Sequence, residues 1–194
     1  YNTLGQWPAV THALPGAIWC SLVPLQLRGK GDATHRALGR VMLSAASVLM
    51  VGYAIIDANG LTADVADFGG HGGALADAVD ETLPNLPLPF NSGGLKTLAG
   101  WFVLTGVQTA VTARAADTRA HRTWAVRHVA SGLWVAAQRP LFGAVRLLQI
   151  ALLGGGDATT SVAQADAFYA CAYLTTGLYV LTAEVIAGSS LHRK

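Results

Sequence analysis

Six histidines and thirteen lysines and arginines stand against eleven acids in 194 residues. His35 and His121 each precede an arginine, Arg36 and Arg122, and each follows an earlier arginine, Arg28 or Arg114, by seven residues. Neutral imidazole is a ligand for iron or magnesium, and the guanidinium fork pairs with carboxylates or phosphates. The doubled motif therefore suits a site for an anionic head group, a quinone, or a tetrapyrrole such as haem or chlorophyll. Arg36 and Arg40, four apart, share one helix face. His121, Trp124, Ala125 and His128 fall along one stripe, with Arg122 and Arg127 beside it. Glu184 is expected to pair with one of these arginines, and Asp32 and Asp117 are further candidate partners. Gly39, one turn past His35, leaves the surface beside the ring open to something flat or to another helix.

His12 stands apart near the start of the first apolar run. A helix of about 18 residues rises about 27 Å, so His12 cannot share one metal with His35 or His121. In a two-haem arrangement its mate would be His71 of the GGHGG loop motif, while His35 would pair with His121 or His128. The candidate binding set is thus His35, His121, His128, His12, Arg36, Arg40, Arg122, Arg127 and Glu184, with no catalytic set. The same side chains serve equally well as interfacial anchors and as hydrogen-bond donors between helices.

Placing these groups is the task of a very apolar chain. Hydrophobic residues make up 52% and charged residues 12%, with mean hydropathy +0.41. Soluble domains carry about 25% charged residues, so the composition predicts an integral membrane protein of one transmembrane domain, 1–194. Cys20 and Cys171 lie inside apolar runs and read as small core residues. P-loop, G-x-S-x-G, H-E-x-x-H and C-x-x-C motifs are absent, and no carboxylate pair lies in an apolar span. That speaks against an enzyme or a pump. Topology accounts for the basic residues, which removes the case for nucleic-acid binding.

Five spans are expected, at about 9–27, 37–56, 97–113, 121–138 and 167–187, each near the length that crosses a bilayer. Pro140 disfavours helical geometry at Arg139, so span four is expected to bend there, with the apolar stretch 140–153 lying along the interface; the alternative is a helix that runs on as one long tilted rod. A long acidic loop, 57–96, carries Asp57, Asp64, Asp67, Asp77, Asp80 and Glu81. Within it Leu75, Val79 and Leu83 suggest a short amphipathic surface helix, followed by an extended PNLPLPF connector.

Ten of the 13 basic residues fall in 28–40, in 114–127 and in the C-terminal tail, which five spans place on one side. The positive-inside rule makes that side cytoplasmic, stromal or matrix. The membrane would be a bacterial inner membrane or an organellar one, thylakoid or mitochondrial inner membrane. RGKGDATHRALGR from Arg28 and RAADTRAHRTWAVR from Arg114 align without a gap at an offset of 86. An all-α bundle of two related hairpins plus a fifth helix is the expected fold. Ser44, Ser47, Gly52, Gly106, Ala110, Gly132 and Ala136 are candidates for close helix approach.

His12 with Gly16, HRALGR at 35–40, HRTWAVR at 121–127, Ala137-Gln138-Arg139 and Ala183-Glu184 together give the chain a family likeness. It resembles the predicted multipass membrane proteins catalogued as domain of unknown function 2306, from about Thr11 to Glu184. The resemblance implies a multipass helical fold and no settled activity. His128 and the Gly- and Asp-rich loop depart from the family pattern. The function expected is that of a non-enzymatic accessory or structural subunit of a respiratory or photosynthetic membrane complex, contacting lipid and other transmembrane subunits. The alternative is a b-type haem electron-transfer protein of the quinol or ferric reductase kind.

Overall fold

The computed structural model describes residues 7–29, 31–62, 92–154 and 160–192. Among the described residues the chain is all-helical, with no strand. A π-helical turn, Ala9–Ala13, leads into α1, Leu14–Arg28. There follow α2, Ala33–Ala58, α3, Ser92–Arg114, α4, Thr118–Leu153, and α5, Ser161–His192. The first expected span falls on the π turn and α1, and the other four fall on α2 to α5. Two segments, Ala33–Ala58 and Ser161–Ser189, are long and apolar enough to cross a membrane, with mean hydropathy 1.9 and 1.4 and only 28% of each apolar stretch buried. Most of the expected acidic loop lies outside the described residues. That includes His71, the 75–83 helix and the PNLPLPF connector.

Internal contacts divide the chain into two compact units, Tyr1–Thr62 with Val103–Ala125, and Ala63–Phe102 with Val126–Lys194. In the first, α1 buries Pro15, Trp19 and Val23. These residues are four apart and so share one face. From α2 come Met42, Ala45, Ala46, Gly52 and Ile56. Gly52 admits the closest approach: a Cβ there would run into the carbonyl of Thr11 in the π turn. Of the other small residues, Ser44, Ser47 and Ala136 are exposed and ease no packing. In the second unit, Trp134 of α4 packs with Ala165, Tyr169 and Ala172 of α5, flanked by Leu95 and Leu98 of α3.

Pro140 does not end α4, which runs on as one continuous helix to Leu153. An interior proline costs a helix about 3 kcal/mol, and packing against α5 offsets it. Phe142 meets Phe168 edge to face at 5.6 Å, and the Arg139 guanidinium lies 5.7 Å from the same ring. Farther along, Arg146 donates to Gln149, which donates to the Ala163 carbonyl. The 14 residues from Pro140 thereby extend α4 by about 21 Å.

The two repeated turns share a device. Asp32 accepts a hydrogen bond from the His35 backbone at 2.8 Å and caps α2, and Asp117 does the same for α4 through Ala120 at 2.9 Å. A residue with positive φ precedes each cap, Gly31 at 74° and Ala116 at 54°. The turns therefore superpose one residue out of step with the sequence repeat, which places His35 third and His121 fourth after its cap. Alanine in the left-handed region is strained by about 1 kcal/mol. Ala116→Gly is expected to raise stability by up to about 1 kcal/mol and Gly31→Ala to lower it by a similar amount. Chemical unfolding in detergent, followed by helix content, checks both signs. Open space surrounds Gly31, so the loss there is one of backbone alone.

Candidate functional site

Among the described residues, three histidines are each bonded to a main-chain carbonyl of a neighbouring helix. On the π turn, His12 Nδ1 donates to the Leu49 carbonyl of α2 at 3.2 Å. His121 Nδ1 on α4 donates to the Thr109 carbonyl of α3 at 3.0 Å, within the first unit. In the second unit His128 Nδ1 donates to the Phe102 carbonyl at 3.2 Å, its ring tilted against that of Phe102 at 4.4 Å. A carbonyl oxygen only accepts, so the proton sits on Nδ1 in all three, and in the neutral ring Nε2 carries the lone pair. Such bonds hold apolar helices together where hydrophobic association has little force.

His35 differs. Its ring centroid lies 6.3 Å from that of His121, with the planes at 88°. The Nδ1 atom is buried, without a hydrogen-bond partner among the described residues, and is packed against Gly29, where a Cβ would collide with it. The backbone carbonyl of His35 accepts from Gln26 Nε2 at 3.2 Å. Gln26 also covers Gly39: its Oε1 would lie 3.4 Å from a Cβ at that position. The open surface expected beside His35 is therefore filled by a side chain of α1.

The arginines separate. Arg36 turns back to donate to the Gly31 carbonyl at 2.9 Å, which closes the first turn instead of building a stack with Arg40. Arg40 and Arg122 are exposed. Arg127 makes a two-pronged ion pair with Glu184 of α5, Nε to Oε1 and Nη2 to Oε2, both 2.7 Å. That is the partnership expected of Glu184. The pair borders a small half-open cleft of about 60 Å³, whose other walls are Trp101, Ala130, Ser131, Val180 and Ala183. A half-open cleft of this size, mostly apolar but bordered by the two charged groups, has room for water beside them. Asp32 and Asp117, expected as further arginine partners, cap helices instead.

The candidate residues thus fall into a His35–His121 pair in the first unit and an Arg127–Glu184 pair in the second, with His128 bound to α3. His12 is held by α2, and its expected mate His71 lies outside the described residues. Among the described residues no three His, Cys, Asp or Glu side chains group as a metal cluster. Gln26, Gly29, Thr109 and Phe102 complete these sites and were not singled out from the sequence. Two of them act through backbone carbonyls, which every residue possesses, and only Gly29, next to a helix end, carried a residue-type signal. No protein-family model matches the chain, and neither a curated protein nor a solved structure is significantly similar to it.

Proposed function

We propose that the chain is a five-span, non-enzymatic integral membrane protein that serves as an accessory or structural subunit of a larger membrane complex. The observation that carries this reading is the use of polar side chains within apolar helices to fasten one helix to another. His12, His121 and His128 are each bonded to a main-chain carbonyl of a neighbouring helix, and Arg127 is bonded to Glu184. Outward-facing Leu174, Leu178, Leu181 and Val185, 59–70% exposed along α5, supply a surface suited to lipid or to a partner helix.

Alkaline carbonate extraction and native electrophoresis after mild solubilisation test the two halves of the proposal. The protein is expected to stay with the membrane pellet and to migrate in a particle well above a detergent-bound chain of 20.1 kDa. Release by carbonate overturns the membrane reading, and migration as a lone chain overturns the subunit reading. Orientation has its own check, a single cysteine at Ala115 in a chain freed of Cys20 and Cys171. It is expected to react with a membrane-impermeant thiol reagent from the cytoplasmic, stromal or matrix side alone. Labelling from the opposite side reverses the topology.

A further inference from the structure

We propose that the end of the first unit built from its two turns is a docking surface for the headgroups of anionic phospholipids. The proposal rests on the membrane reading above and names the lipid class that reading leaves open. Six arginines gather at this end. Arg28 closes α1, Arg36 and Arg40 stand on the first two turns of α2, Arg114 closes α3, and Arg119 and Arg122 open α4. All six belong to the first unit, and the ring contact of His35 with His121 at 6.3 Å ties the two turns together. Within these turns the acids are Asp32 and Asp117, each accepting a main-chain N–H as a helix cap. Arg36 is committed to the Gly31 carbonyl. The guanidinium groups of Arg28, Arg40, Arg114 and Arg122 are exposed and make no hydrogen bond or ion pair among the described residues.

Four such cations at one end repel one another until an anion lies among them. Each guanidinium offers a planar fork that matches two oxygens of a phosphate. Six of the seven basic residues in 28–40 and 114–122 are arginine, although lysine would serve orientation in the membrane equally well. What adjoins the arginines selects a lipid over a soluble anion. Leu25 and Leu27 precede Arg28, Val41 follows Arg40, and Val111 lies one turn before Arg114, all four 50–56% exposed. Each stands within a turn of its arginine, toward the middle of its helix. An apolar belt beside exposed guanidinium groups complements a molecule whose acyl chains adjoin its phosphate. Free phosphate or a nucleotide would use the charge and leave the belt in water. Attraction of a basic rim to an anionic leaflet grows with every added basic residue, so the doubled turn strengthens what one turn would do weakly.

The full chain is reconstituted in phosphatidylcholine vesicles with a trace of spin-labelled phosphatidylglycerol or spin-labelled phosphatidylcholine. Electron paramagnetic resonance then reads the fraction of each label immobilised on the protein. The wild type is expected to favour phosphatidylglycerol by at least about threefold, and the Arg40→Gln/Arg122→Gln double variant to lose about half of that preference or more. Either single variant should fall in between, which keeps the test readable if the double variant fails to insert. Arg139→Gln, in the second unit, is expected to keep the full preference. Helix content and carbonate extraction are followed for every variant. The preference should weaken as salt rises and withstand an excess of inorganic phosphate at constant ionic strength. Equal immobilisation of the two lipids, or variants indistinguishable from the wild type, overturns the proposal. Loss of the preference to inorganic phosphate alone also overturns it, by assigning the arginines to a soluble phosphate. A chain that stays in the carbonate pellet without preferring either lipid refutes the docking surface and leaves the membrane reading standing.

Discussion

Gly52→Ala is expected to destabilise the first unit, and Gly52→Val to abolish the pairing of the π turn and α1 with α2. On an exposed helix surface, glycine to alanine gains up to about 1 kcal/mol in helix propensity, so a loss requires a steric cause. Here the added Cβ meets the carbonyl carbon and oxygen of Thr11 and lies 2.9 Å from the His12 nitrogen. These are main-chain atoms, which cannot rotate out of the way as a side chain does. Relief requires the π turn to lift off α2, which also breaks the bond from His12 to the Leu49 carbonyl one turn away. Overpacking a close contact costs about 1–3 kcal/mol, and the branched valine is expected to exceed that. Gly39→Ala supplies the control. Its nearest neighbour is the end of a flexible glutamine at 3.4 Å, so helix propensity should prevail and stability should hold or rise. Unfolding titrations in detergent for the three variants read the order directly. Equal stability of Gly52→Ala and wild type would sink the close-approach account.

Gly39 and Gly52 also mark a limit on what can be read before the fold is known. Both are glycines on the same helix, and hydropathy patterning places both near a neighbouring helix. Which of them faces a backbone and which a side chain depends on the rotation of α1, and no residue type encodes that rotation. The Arg127–Glu184 partnership was legible because charges at the ends of apolar runs seek partners. The carbonyl partners of His12, His121 and His128 were not, since Leu49, Thr109 and Phe102 contribute main-chain atoms. At Asp32 and Asp117 two rules competed. Long-range charge pairing suggested arginine partners, whereas an aspartate just before a helix is foremost an N-cap, and the local interaction prevailed. At Pro140 the local rule disfavours helix, yet the helix continues, and Phe142, Phe168 and the Arg146–Gln149–Ala163 chain hold it together.

Glu184→Ala and Arg127→Ala are expected to be more damaging singly than their sum would suggest in the double variant. The ion pair has two 2.7 Å bonds, and its side chains are 25% and 48% exposed. What surrounds the exposed part decides the energetics. In water such a pair contributes about 0.2–1 kcal/mol and weakens as salt screens it. At the rim of a bilayer each charge left alone must be solvated by lipid or by water drawn into the cleft beside Trp101 and Ser131, at a cost of a few kcal/mol. Membrane placement therefore predicts single-variant losses of about 2–4 kcal/mol and a double variant little worse than either. The coupling should exceed about 1.5 kcal/mol and change little when salt rises from about 0.05 to 0.5 M. A Glu184→Gln variant isolates charge from volume, because it keeps an acceptor for Arg127 while leaving the guanidinium uncompensated. It should lose most of what Glu184→Ala loses if charge dominates. The cycle is measured by reversible unfolding in lipid bicelles, where the surroundings of α4 and α5 approximate a membrane. Additive losses, each below about 0.5 kcal/mol and shrinking with salt, would mean that the pair stands in bulk water, and the fourth and fifth spans would have to be placed elsewhere.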